Sequence, residues 1–262
     1  MALRLVIVGG GRMGEALVGG LLAAGWASEE LGVVEPLDAR RHELAASFPG
    51  VTTSAEGMAG AGTVLAVKPD AVGDAAREAV GAGTERILSI AAGVTIGAIE
   101  AVSGAVPVVR AMPNTPALVG AGAAAIAPGT SAGEADLVWA EEVLGAVGTV
   151  VRVPEHLLDA VTGLSGSGPA YVFLVAEALV DAGVLVGLPR PTATALVGQT
   201  LLGAARLLVE GSEGPEALRA AVTSPGGTTA AGLRVLEAAG LRSALLEAVA
   251  AAAARAAELG RA

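Results

Sequence analysis

The chain contains no cysteine and only two histidines, His42 and His156. The first absence excludes disulfides, thiol catalysis and thiolate metal sites. The second leaves almost no material for a Ser-His-Asp triad or a histidine zinc site, and disfavours a dehydrogenase that takes a proton from an alcohol through histidine. His42 lies in a charged cluster near the adenosine end, and His156 reads as a capping or packing residue at the domain junction, with a chemical role as its alternative. Aromatic residues make up 2% of the chain and the net charge is −10 with no basic patch, a combination that speaks against nucleic acid as a partner. Uncharged apolar runs stop short of the ~18 residues of a membrane span: Arg12 and Glu15 interrupt the first, and Glu177 and Asp181 interrupt 169–188. The opening residues form a strand rather than a basic segment followed by an apolar stretch, so the expected location is cytoplasmic and no membrane partner is expected.

What is present is a very apolar palette, 53% hydrophobic and 16% charged, with a mean hydropathy of +0.66. The core must be packed from Ala, Val and Leu. At 262 residues the chain is long enough for two domains. Short β-rich runs at 3–8, 32–35, 63–67, 86–90, 106–110, 123–127 and 149–153 alternate with helical spacing at 12–24, 38–47, 70–80 and 131–145. Continuous apolar strands suit a parallel sheet covered on both faces, which predicts an α/β Rossmann-like doubly wound domain over 1–153. After Pro154 the β-rich runs stop, and residues 154–262 read as an all-α domain. Its segment 170–182 (AYVFLVAEALVDA) is apolar on most of its circumference, so it must be covered on nearly every side. Association of subunits through this domain is the predicted solution, against a monomer with one central helix.

In VIVGGGRMGEALVGG, Gly9, Gly11 and Gly14 form G-x-G-x-x-G between a strand and a helix. The first glycine serves a tight turn, the second a close approach to pyrophosphate, the third helix-to-strand packing. Glu35, 21 positions after Gly14, ends the second strand where an acidic group meets the adenosine ribose. Such a group favours NAD and repels the 2′-phosphate of NADP, whereas Arg40 and Arg41 just beyond suit that phosphate or simply lie on a solvated helix face. Lys68, in LAVKPDAV, faces either the cofactor or solvent. Asn114, between Pro113 and Pro116, has the alternative of an ordinary turn-forming role.

With histidine and cysteine chemistry removed, hydroxyls and backbone amides remain. GLSGSGPAY (163–171) and TSPGGTTA (223–230) each set Ser, Gly and Thr before a helix. Clustered amides at a helix start suit a carboxylate, and Thr228 or Thr229 offers a hydroxyl to a second polar atom. The competing reading is a tight turn with Ser or Thr as N-cap.

Taken together, GGGRMGEAL, VLAVKPD, SIAAGVTI, VVRAMPNTPALVG, DAVTGLSGSGPAYVFLVAEALVDAG, GLPR, GQTLLGAARLL and VTSPGGTTAAGLRVLE run in order over nearly the whole chain. In this the chain resembles pyrroline-5-carboxylate reductase, the last enzyme of proline biosynthesis. The resemblance implies a Rossmann domain followed by a helical dimerisation domain, often assembled into a decamer. It implies transfer of hydride from NADPH, with NADH as the alternative, to the imine carbon of 1-pyrroline-5-carboxylate, the atom that becomes C5 of proline. Carried over by motif, Gly9, Gly11, Arg12, Met13 and Gly14 would hold the pyrophosphate. Ala66, Lys68, Pro69, Ala92, Gly93, Met112, Pro113 and Asn114 would line the nicotinamide half. Ser224, Gly226, Gly227 and Thr228 would receive the substrate carboxylate, and Thr229 would reach the ring nitrogen as the catalytic hydroxyl. Glu155 matches an acidic position on the substrate side. A protonated imine is already an electrophile, so the scarcity of histidine fits. The chain departs from the family pattern at Arg12, where Asn or Ser is common, and at Glu35, where Ser or Thr is common. Two other readings stay open: a β-hydroxyacid-dehydrogenase-like enzyme or another imine reductase, and a dinucleotide-binding regulator without turnover. The dehydrogenase type uses a lysine in its second domain, and no lysine follows Lys68.

Overall fold

The structure is a computed structural model and describes residues 3–260. It divides into two compact units, one formed by residues up to Ser167 together with those from Ala250 onward, the other by Gly168–Val249.

The first unit is built on one sheet with the strand order β3-β2-β1-β4-β5-β6-β7-β8. The strands are β1 (Leu5–Val8), β2 (Leu31–Val34), β3 (Thr52–Ser54), β4 (Thr63–Leu65), β5 (Ile87–Ser89), β6 (Val108–Met112), β7 (Gly122–Pro128) and β8 (Gly148–Arg152). Interleaved helices are α1 (Arg12–Ala23), α2 (Asp38–Ser47), α3 (Val72–Gly81), α4 (Ile96–Ser103), α5 (Glu134–Gly145) and α6 (Leu158–Val161). Successive side chains of a strand leave opposite faces. Leu5 and Ile7 accordingly join Leu17, Leu21, Val33 and Leu144 in one core layer, while Val6 and Val8 join Leu65, Ile87, Ile99 and Leu158 in the other. Burial on both faces explains why β1 reads LVIV without alternation. Each fully buried Leu or Ile contributes about 1.5–3 kcal/mol relative to an exposed one.

Three features depart from the sequence expectation. β3 is an additional parallel edge strand, TTS, too short and polar to announce itself. α4 is an additional helix, started by Thr95, whose side chain accepts a hydrogen bond from the Ala98 amide. The sheet is parallel except that β7 runs antiparallel to β6. Residues 113–121 join these two strands through a 3-10 turn, Thr115–Val119, and Gly120 at φ +70°. That connection is shorter than the dozen or more residues a parallel crossover needs.

The second unit is helical, as expected: α7 (Gly168–Leu185), α8 (Arg190–Glu210), α9 (Pro215–Ala221), α10 (Thr228–Ala238) and the first half of α11 (Leu241–Leu259). α7 and α8 pack closely enough that a side chain on Gly183 would come within 3.0 Å of Ala193 Cβ. α7 nonetheless has no buried residue, and Phe173 and Leu174 are each 66% exposed. The stretches Glu155–Leu185 and Arg190–Glu210 are long and apolar enough, by length and composition, to cross a membrane.

Candidate active site

The carboxyl ends of β1, β2, β4, β5 and β6 open onto one edge of the sheet, where ligands bind in open α/β folds. The glycine loop stands at its centre. Gly9 has φ +106°, and a side chain on it would strike the Ala66 carbonyl oxygen at 2.5 Å. One on Gly14 would strike the Gly9 carbonyl at 2.1 Å, so the turn and the approach of α1 to it both require glycine. At Gly11 the opposite holds: a side chain there would meet nothing within 4 Å, leaving an open cradle. Gly11 is the N-cap of α1 and no side chain caps this helix end. The first-turn amides of Arg12, Met13 and Gly14 are thus available to an anion, an arrangement that fits a pyrophosphate.

Glu35 is buried beside this loop, 8% exposed. Its Oε2 accepts from the Gly10 amide and its Oε1 from the Leu37 amide, each at 3.0 Å. Arg40 Nε donates to the Gly10 carbonyl at 2.7 Å, so both polar groups of Gly10 are held by the segment after β2. Hydrogen bonds to Glu43 and Glu15 raise the Arg40 pKa above its ordinary value. Arg41 donates to the carbonyls of Glu35 and Pro36 and pairs with Asp38. Neither arginine is a free solvated residue.

Further along the edge, Ala66 is half-buried after β4, and Lys68 is exposed as the N-cap of the turn Pro69–Ala71. After β5, Ala92 is exposed, and Gly93 at φ +78° lies beside Leu259 and Gly260 at the end of α11. At the end of β6, Met112 approaches Gly166 so closely that a side chain on the glycine would come within 2.7 Å of Met112 Cε. Pro113 is buried. Asn114 donates through Nδ2 to the Ser165 carbonyl at 3.0 Å and accepts at Oδ1 from the Ala123 amide at 2.8 Å. It is therefore a tie between chain segments. Glu155 accepts at Oε1 from Arg110 Nη1 at 2.9 Å and from the Ile96 amide at 2.7 Å. Arg110 is a participant the sequence reading did not single out; its signal was one charged residue inside the apolar strand VVRAM. His156 is exposed, and His42 bonds back to the Asp38 carbonyl.

The two Ser/Gly/Thr loops differ. Thr162–Gly166 is a π-helical turn just ahead of α7, in which the Thr162 and Ser165 hydroxyls donate to the carbonyls of Leu158 and Val161. In the second unit, Ser224 to Gly227 form a turn with Gly226 at φ +70° and the Gly227 amide donating to the Ser224 carbonyl. Gly227, not Ser or Thr, is the N-cap of α10, and no side chain caps that helix. The Ser224 hydroxyl lies over Gly227, where a side chain would approach its Oγ within 2.3 Å. Thr228 is exposed and Thr229 half-buried at the helix start.

Comparison with known proteins matches the chain in two parts. Residues 4–93 match a family described as NADP oxidoreductase coenzyme F420-dependent, and residues 155–259 match one described as pyrroline-5-carboxylate reductase dimerisation. A pyrroline-5-carboxylate reductase from Synechocystis is 48% identical over 100% of this chain and 100% of its own length. The solved structure of a pyrroline-5-carboxylate reductase from Coxiella burnetii superposes with a TM-score of 0.93 at 36% identity, covering 99% of each chain. That of a Plasmodium falciparum pyrroline carboxylate reductase with NADP bound gives 0.85 at 30% identity, covering 98% of each. With identity of this degree sustained from end to end, the chain belongs to the pyrroline-5-carboxylate reductase family.

Proposed function

We propose that this protein reduces 1-pyrroline-5-carboxylate to L-proline, the closing step of proline biosynthesis, with NADPH as the preferred reductant and NADH as a slower one. The observation that carries the reading is the start of α10. In a chain whose two histidines are exposed and which has no cysteine, this helix end offers uncapped amides flanked by the hydroxyls of Ser224, Thr228 and Thr229.

The roles divide between an anion site and a proton-bearing site. The Thr228 amide, the Ser224 hydroxyl and the turn through Gly226 and Gly227 bind the substrate carboxylate, so an anion is accepted by a protein of net charge −10 through local partial charges. Thr229 Oγ1 holds the ring nitrogen, which carries a proton in the iminium and keeps it in the product amine. The reduced nicotinamide, when bound, would supply the hydride that adds to the imine carbon, C2 of the pyrroline and C5 of the proline formed. Gly9, Gly11, Arg12, Met13 and Gly14 grip the pyrophosphate, while Ala66, Lys68, Pro69, Ala92, Gly93, Met112, Pro113 and Asn114 shape the nicotinamide half. Orientation and exclusion of water are then the main contributions of the protein, because the iminium needs no strong general acid.

For the choice of reductant, Glu35 engages both carboxylate oxygens with Gly10 and Leu37, and the segment beyond it carries Arg40 and Arg41, paired in the free protein with Glu15, Glu43 and Asp38. This supports NADPH. In functional terms we assign cofactor binding to residues 1–153 and substrate binding and association to residues 154–262. The exposed apolar surface of α7 and α8 supports a homodimer formed through the helical region, with a decamer as its further assembly, in the cytoplasm.

The test is an assay of purified protein with pyrroline-5-carboxylate and either NADPH or NADH, followed by loss of the dihydronicotinamide absorbance. Turnover with NADPH exceeding that with NADH is the expected result. No oxidation of either reductant removes the reductase reading, and faster turnover with NADH reverses the assignment of preference.

A further inference from the structure

The Glu155 carboxylate bridges three separate segments. Oε1 accepts from Arg110 of β6 and from the amide of Ile96, the first residue of α4. Arg110 is 7% exposed, and Glu155 is its ion-pair partner. Ser89 and Arg110 are register neighbours on adjacent parallel strands, so their side chains leave the same face of the sheet. Ser89 Oγ is itself buried without a hydrogen-bond partner. This is a polar cluster inside an otherwise apolar layer, where a charge is tolerated only when paired.

The position of the cluster gives it a use. Ile96 directly follows the loop containing Ala92 and Gly93. Arg110 leads into Met112 and Asn114, the latter bonded to Ser165 beyond Glu155. One carboxylate oxygen therefore fixes the roots of both loops that flank the proposed nicotinamide site. A carboxylate at the start of α4 is further favoured by the positive end of that helix.

We propose that Glu155 is a positioning residue, acting through Arg110 and the Ile96 amide to set the spacing of the two nicotinamide-side loops, and not a ligand of the substrate. The inference rests on the reductase reading above. It assigns Arg110 to the same task.

The test uses full-length Glu155→Gln, Arg110→Met and the double variant, with Arg110→Lys as the conservative partner. Four readouts apply: thermal midpoint of the free protein, NADPH affinity by calorimetry, steady-state kinetics, and the isotope effect with NADPH deuterated at the transferred position. Glu155→Gln is expected to lower kcat about tenfold or more, leave KM for the imine within about twofold, weaken NADPH severalfold and enlarge the isotope effect. Arg110→Met should reproduce this pattern with Glu155 intact, the double variant should be no worse than either single one, and Arg110→Lys should recover part of the loss. If Arg110→Met does not fold, Glu155→Gln and Arg110→Lys decide. A rise in imine KM of about tenfold or more in Glu155→Gln, with the isotope effect unchanged, would make Glu155 a substrate ligand and overturn the proposal. Unchanged NADPH affinity and isotope effect in both single variants would overturn it as well. Inactive wild-type protein would instead defeat the reductase reading, and the calorimetric comparison would still decide whether the cluster shapes the dinucleotide site.

Discussion

Helix α1 buries Gly14, Leu17, Val18 and Leu21 within its own unit, whereas α7, longer and more apolar, buries nothing. Both draw on the same small aliphatic residues. The first unit closes its two core layers around a sheet, with strands hidden on both faces. The second has Ala193 as the buried residue of α8 and none in α9 or α10. The contrast teaches that hydrophobic composition alone does not say where burial is completed. A sheet supplies two faces for its own helices to cover, while a helix that is apolar all round needs neighbours on every side.

The most damaging way to break the first half of this comparison is Gly14→Val, because even a Cβ at this position meets the Gly9 backbone. Dinucleotide binding should be abolished in calorimetry and chemical denaturation should show a loss of about 3 kcal/mol, with the helical signal of the second unit retained. The second half is tested by Leu174→Glu. If α7 is covered by a second copy, a buried carboxylate replaces an apolar contact and association weakens by about 2 kcal/mol or more. Sedimentation should then show monomer at concentrations where the parent is associated, and the thermal midpoint should lose the dependence on protein concentration that dissociation-linked unfolding gives the parent. An unchanged mass would mean that this face of α7 stays open.

Thr229→Ala sharpens the contrast at the level of chemistry. Turnover should fall by about 10- to 100-fold, the value of one hydrogen bond to a charged group, while dinucleotide affinity stays as in the parent. Equal turnover would remove Thr229 from the reaction. Arg40→Ala carries the smallest expected effect. Losing its bond to the Gly10 carbonyl should weaken NADPH by about threefold to tenfold, leaving the imine KM unaltered in the same assay.

Much of the first unit was legible because its signals are local. The glycine loop, the strands of continuous Val, Ile and Leu, and Glu35 at the end of β2 each sit within one element and its neighbour. β3 was hidden because an edge strand of Thr and Ser buries little and has no apolar pattern to display. α4 reads IGAIEAVS, in which Gly and β-branched residues dilute helical propensity and the cap at Thr95 is the main cue. The reversed direction of β7 is carried by the length of its connection, and periodicity says nothing about it. At the site, residue types were readable and partners were not. Arg110 and Glu155 lie 45 positions apart, and only the sheet brings them to one carboxylate oxygen. For α10, the sequence left a hydroxyl cap and an anion cradle as rival readings, and the geometry makes Gly227 the cap.

The hold on Gly10 bears on attempts to re-engineer reductant preference. Glu35 is the natural position to alter if NADPH use is to be raised or suppressed, yet its carboxylate is also the acceptor for the Gly10 amide while Arg40 secures the carbonyl of the same residue. An exchange at position 35 chosen only for the ribose would release one end of the peptide that shapes the phosphate turn, so selectivity and catalytic efficiency would drift together. A successful redesign would keep a short acceptor within reach of Gly10 and move the discriminating charge further along α2.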